Sequence, residues 1–124
     1  MSSEISITAK LSVSKGGTSV TNAISTDSID MTGTNMIALV QNVGTSAEAV
    51  GPLTDVDTAA SYFLLLRNKD ATNYVEVSFD AGSTYSLRMN AGELCGPFRL
   101  VAGEAVHLRA NTATCEVEVI ACEE

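Results

Sequence analysis

The chain has 124 residues, three cysteines and no tryptophan, and its 15 acidic against 7 basic side chains give a formal charge of −8. That length suits one domain with a real core, and 45% apolar with 18% charged residues excludes wholesale disorder. The seven cations are scattered, which excludes a nucleic-acid or anionic-membrane partner, because neutralising phosphates needs clustered Lys and Arg.

The first residues, Met-Ser-Ser-Glu-Ile-Ser, lack the basic start and apolar stretch of a signal peptide. They read as a short polar arm over 1–4 in which Ser2, Ser3 and Glu4 are candidate partner contacts. Ile5, Ile7, Ala9, Leu11 and Val13 alternate with Ser6, Thr8, Lys10 and Ser12, and period two over nine residues predicts a half-buried strand. Gly16-Gly17 supplies a turn, since glycine reaches positive φ without a Cβ penalty. Val20 to Ile24 returns as a short, polar edge strand. Ser25 to Asn35 is loop-like and carries the candidate contact residues Asp27, Asp30 and Asn35.

Met36 to Val43 reads as a buried strand ending at Gly44-Thr45. In the next stretch Thr45 and Glu48 have capping-box spacing, but Gly51-Pro52 stops a helix after one turn, so the second arm of a hairpin is the favoured reading. Leu53 to Ser61 is a connecting loop with Asp55 and Asp57 as candidate contacts. The clearest signal follows: apolar Tyr62 to Leu66, a turn over Arg67 to Thr72, and strict alternation from Tyr74 to Phe79. This predicts a hairpin whose first strand is central and buried on both faces. Its turn, with the candidate contacts Arg67, Lys69 and Asp70, reads as a structural corner ahead of a partner-facing loop.

Asp80 to Ser83 is a further turn and Thr84 to Met89 a further strand. Ala91-Gly92-Glu93 and Ala102-Gly103-Glu104 repeat at a spacing of 11 residues and read as tight turns. Pro97 cannot donate to a ladder, so its strand is an edge or carries a bulge. A last hairpin runs from Glu104 to Ala121, with Val106, Leu108, Cys115, Val117 and Val119 facing inward. The expectation is an all-β fold: one antiparallel, jelly-roll-like β-sandwich domain over 1–124, of about eight short strands built from successive hairpins.

Chemistry is harder to find. The single histidine, His107, could be drawn with Cys95 or Cys115 as a base and nucleophile, but its outward parity favours a solvated side chain. The odd, irregularly spaced cysteines suggest reduced thiols, and Cys115 shares the inward parity of Val117. Asp55-x-Asp57 opens like a calcium loop, yet Ala60 and Leu66 stand where glycine and a bidentate Glu are needed. A loose ion site among Asp55, Asp57 and Asp80 is the weaker alternative. Glu76, Glu116 and Glu118 read as a solvent-facing row rather than a paired-carboxylate site. No P-loop or dinucleotide fingerprint occurs. The reading is therefore a non-enzyme with no catalytic residue, metal or cofactor. Few lysines (Lys10, Lys15, Lys69) guard the strand edges, which argues for edges or faces buried in an assembly.

The string Tyr62-Phe-Leu-Leu-Leu-Arg-Asn-Lys-Asp-Ala-Thr-Asn-Tyr-Val-Glu-Val77, followed by Ala91-Gly-Glu93, Gly96-Pro-Phe-Arg-Leu100 and Ala110-Asn-Thr-Ala113, resembles small structural proteins of tailed bacteriophages. The resemblance spans about residues 36 to 121. It implies a β-sandwich virion component made in the cytoplasm of a bacterial host. Capsid decoration (cement) is the favoured role, with self-association, a trimer favoured, and the major capsid protein or another virion protein as partners. A tail or head-tail junction component is the alternative, and a carbohydrate-binding or host-recognition module is the alternative of another class.

Overall fold

The structure is a computed structural model that describes residues 4–25, 29–31, 33–54, 56–101 and 106–123. It divides into two compact units, Met1–Thr32 and Gly33–Glu124. The described residues form ten strands and no helix, so the all-β expectation holds.

The first unit contains β1 (Thr8–Lys15) and β2 (Thr18–Ser25), which pair only with each other. Lys15 faces Thr18 across a two-residue loop. Gly16 and Gly17 have φ of 58° and 83°, as a type I′ hairpin turn requires. Every residue of both strands is exposed. The half-buried strand expected from Ile5–Val13 alternation is therefore corrected: the alternation is present, but neither face of this hairpin is covered. Beyond it, Ile5 and Ile29 form an isolated antiparallel bridge.

The second unit holds the remaining eight strands: β3 (Met36–Val43), β4 (Glu48–Ala49), β5 (Tyr62–Asn68), β6 (Val75–Ser78), β7 (Leu87–Met89), β8 (Leu94–Leu100), β9 (His107–Ala110) and β10 (Cys115–Glu123). They make two four-stranded sheets with orders β3-β10-β5-β8 and β4-β9-β6-β7. Four pairings explain both orders: β3 with β10, β4 with β9, β5 with β8 and β6 with β7. The chain is one long antiparallel ribbon, doubled back at the turn between β6 and β7 and rolled so that successive ribbon segments fall in alternate sheets. This is the jelly roll.

Two expectations are corrected here. The strands number ten rather than about eight, and two of them, β1 and β2, form a sheet of their own. The sandwich is also not a series of local hairpins, for only β6 and β7 are neighbours both in sequence and in a sheet within it. Tyr62–Phe79 is a crossing from one sheet to the other, because β5 pairs with β10 and β8 while β6 pairs with β7 and β9. Likewise β9 and β10 do not pair, and Glu48–Ala49 joins β9 instead of folding back on β3. Thr45 and Glu48 cap no helix. Each of these segments has the local character of a strand, but that character does not name a partner.

The core lies between the sheets. Leu64, Leu66, Val75, Val77, Met89, Leu108, Val117 and Val119 are fully buried in one cluster. Each such side chain contributes on the order of 1.5–3 kcal/mol through burial. The central strand β5 is buried on both faces as expected. Phe63 points outward yet is only 8% exposed, since the Arg99 guanidinium lies 4.5 Å over its ring. On β8, Pro97 occupies an edge strand, and the register against β5 shifts between Leu64 and Leu66, so both halves of that expectation are met. Gly96 there has φ of 98°, and a Cβ on it would stand 2.7 Å from the Leu64 carbonyl oxygen.

Candidate interaction surface

Asn68 ends β5 with its side chain fully buried. Its Nδ2 donates to the carbonyls of Asn73, Met89 and Asn90 at 2.9, 3.1 and 3.3 Å, and its Oδ1 accepts from Asp70 N at 2.9 Å. Asp70 in turn accepts from Thr72 N and Asn73 N at 3.0 and 2.6 Å. The Asn73 and Thr72 amides hold the Asp70 carboxyl below its usual range. Lys69 N donates to Glu116 O at 2.9 Å, tying the turn to β10. The Arg67–Thr72 turn is thus a structural corner, the reading put first from sequence. Ala91-Gly92-Glu93 is its other half: Glu93 N donates to Asn90 O, Gly92 N to Asn68 O, and Asn68 N to Glu93 O.

At the opposite end of β5, Glu123 gathers the loops that sequence singled out. Its carboxylate accepts from Thr34 N, Asn35 N and Asp57 N at 3.1, 3.0 and 2.9 Å. The amides of Asn35 and Asp57, in that order, pull its pKa below the ordinary value. Asn35 and Asp57 are therefore brought together through a residue that was not singled out. Asp57 Oδ1 caps Ala59 N at 3.0 Å, and Asp80 Oδ1 accepts from Ser78 Oγ and Thr84 N, both at 2.7 Å. These two carboxylates serve their own turns, and Asp55, the third member of the suggested ion site, lies outside the described residues. In the first unit, Glu4 Oε2 accepts from Met31 N at 2.9 Å, and Asp30 is exposed. Ser2, Ser3, Asp27, Asp55 and the Ala102–Glu104 turn lie outside the described residues.

The outer faces of the two sheets differ in chemistry. On the β4-β9-β6-β7 sheet, Glu76 sits between Arg109 at 3.0 Å and Arg88 at 3.8 Å. The two guanidinium groups stack on Tyr85 and Tyr74 at 3.8 and 3.9 Å. Glu76 belongs to this sheet and Glu116 and Glu118 to the other, so the three make no row.

On the β3-β10-β5 face, Met36, Ala38 and Val40 stand across from Cys122, Ile120 and Glu118. Met36, Val40 and Ile120 are 67%, 51% and 46% exposed. An open groove of about 510 Å³ runs past Ala38, Val40, Lys69, Glu118 and Ile120. Arg67 reaches Glu118 at 3.6 Å, an exposed pair of the kind worth little to stability. Arg67 and Lys69 thus border an apolar face. The signal for it was in the sequence: Ile120 is apolar at the solvent parity that Glu116 and Glu118 establish.

His107 is half-exposed on β9 and borders a pocket of about 300 Å³ with Val50, Leu53, Tyr62 and Val106. Its Nδ1 is buried without a hydrogen-bond partner, so it is less solvated than its parity suggested. Cys95 and Cys115 are buried free thiols and Cys122 a half-buried one. Burial pushes the Cys95 thiol up to about 11. Among the described residues no cluster of His, Cys, Asp or Glu could hold a metal ion, and no helix is long and apolar enough to cross a membrane.

Comparison with protein-family models, with curated proteins and with solved structures returns no match.

Proposed function

We propose that the chain is a non-enzymatic structural protein of a bacteriophage virion, acting as a decoration (cement) protein that stabilises the assembled head. The observation that supports this reading is a jelly-roll sandwich that leaves an apolar sheet face and an apolar hairpin uncovered. Jelly rolls recur in viral shells, and contiguous exposed apolar surface marks a place where another protein binds. The resemblance of Tyr62–Val77 to phage structural proteins points the same way. The residues it rests on build the buried corner around Asn68, so they account for the scaffold and not for the contact. By binding only the assembled shell, such a protein stabilises that state by mass action.

Purified protein added to undecorated, expanded capsids should co-sediment with them and raise their resistance to heat. Failure to co-sediment overturns the reading. Sedimentation with tails alone replaces it with a tail or head-tail junction role.

A further inference from the structure

The β1–β2 hairpin has two unequal faces. One carries Ala9, Leu11 and Val13 on β1 with Val20 and Ile24 on β2, the cross-strand pairs being Ala9 with Ile24 and Val13 with Val20. The other carries Thr8, Lys10, Ser12 and Ser14. Leu11, Val13, Val20 and Ile24 are 71%, 54%, 62% and 68% exposed, more than any ordinary half-buried strand allows. A two-stranded hairpin alone is marginal in water, so this one gains its stability from whatever covers its apolar face.

The chemistry of a suitable cover is present on the same chain. The outer face of β3-β10-β5 offers Met36, Ala38, Val40 and Ile120, with Glu116 and Glu118 alongside on β10. Between Ile5 and Ser25 the only charged residues are Lys10 and Lys15, whereas residues 33–124 hold twelve acidic and five basic side chains. Lys15 shares the parity of Leu11 and Val13, which puts a cation at the turn end of the apolar face. Strand lengths match as well, eight residues in β1 against nine in β10.

We propose that the hairpin is an exchange arm, and that its apolar face lies on the β3-β10-β5 outer face of a second copy of this chain. A cationic arm on an acidic sandwich overcomes the mutual repulsion of a chain carrying −8. Reciprocal or cyclic exchange closes the assembly and covers both apolar surfaces. The arm needs no capsid, so purified protein tests it separately from the proposed role in the virion.

Light scattering on the full chain at micromolar concentration should give a multiple of its 12.9 kDa mass. Leu11→Asp on the arm and Ile120→Asp on the receiving face should each return it to that mass. Because an altered sheet residue can also harm folding, a second measurement fixes the contact. In Leu11→Cys, a short bifunctional maleimide should link the new thiol to Cys122 of another copy and double the mass on a denaturing gel, and Cys122→Ser should abolish the product. A wild-type monomer overturns the proposal. So does an oligomer indifferent to Leu11→Asp, or a cross-link that forms only within one chain.

Discussion

The side-chain amide of Asn68 donates to the main-chain carbonyl of Met89 at 3.1 Å, joining the end of β5 in one sheet to the end of β7 in the other. Asn68→Ala leaves the carbonyls of Asn73 and Met89 and the amide of Asp70 without that partner. Each buried orphan costs about 1–3 kcal/mol, so the variant should lose about 3 kcal/mol, read as a lower urea midpoint with unchanged slope. Asn68→Asp should be no better, because a carboxylate cannot donate to these carbonyls.

Glu123 makes stability depend on acid. Its folded pKa is depressed by the amides of Asn35, Asp57 and Thr34. A depressed carboxyl contributes stability that is fully present above the unfolded value, near 4.5, and lost as pH falls through the folded one. Asp70 and Asp80 are depressed likewise from 3.8. The melting temperature should stay level from neutral pH to about 5 and then decline. Glu123→Gln should melt below wild type at pH 7, and the gap should close in acid.

The three thiols should separate by reactivity. Cys95 and Cys115 are buried and Cys122 is half-buried, and burial raises all three pKa values, Cys95 to about 11. A thiol reagent at pH 8 should modify one site per chain quickly and the other two only on unfolding, since the thiolate is the nucleophile. Cys122→Ser should remove the fast phase.

Two substitutions probe the core and the bulge beside it. Leu66→Ala empties a fully buried position and should cost about 2–5 kcal/mol by denaturant titration. Gly96→Ala combines positive φ with a Cβ 2.7 Å from Leu64 O, and should cost about 2 kcal/mol or more.

The apolar runs at Met36–Val40 and Tyr62–Leu66 and the alternation in Tyr74–Phe79 and Cys115–Val119 made the strands legible, and Gly16-Gly17 and Ala91-Gly92-Glu93 marked their turns, because side-chain patterning and positive φ are local properties. Pairing is not local. Nothing between Val43 and Cys115 announces that these two residues stand opposite each other, so the ribbon was read as separate hairpins. Hydrophobicity also fails to report cover: Leu11 and Leu66 are the same residue type in similar patterns, one 71% exposed and the other fully buried. Among the site residues, Arg67, Lys69 and Asp70 were visible as a polar turn, whereas Glu123 was not, since its role depends on three amides brought to it by the fold.

The pairing of β10 with both β3 and β5 has a consequence for how the chain acquires its structure. The strand β10, which follows β3 and β5 in the chain, is an inner strand, and β3 and β5 do not pair with each other in its absence. The larger sheet therefore assembles only once β10 is available, through long-range closures that are slow compared with local ones. Until then the apolar edges of β3 and β5 stand open, and at high expression they form the surface through which nascent copies aggregate.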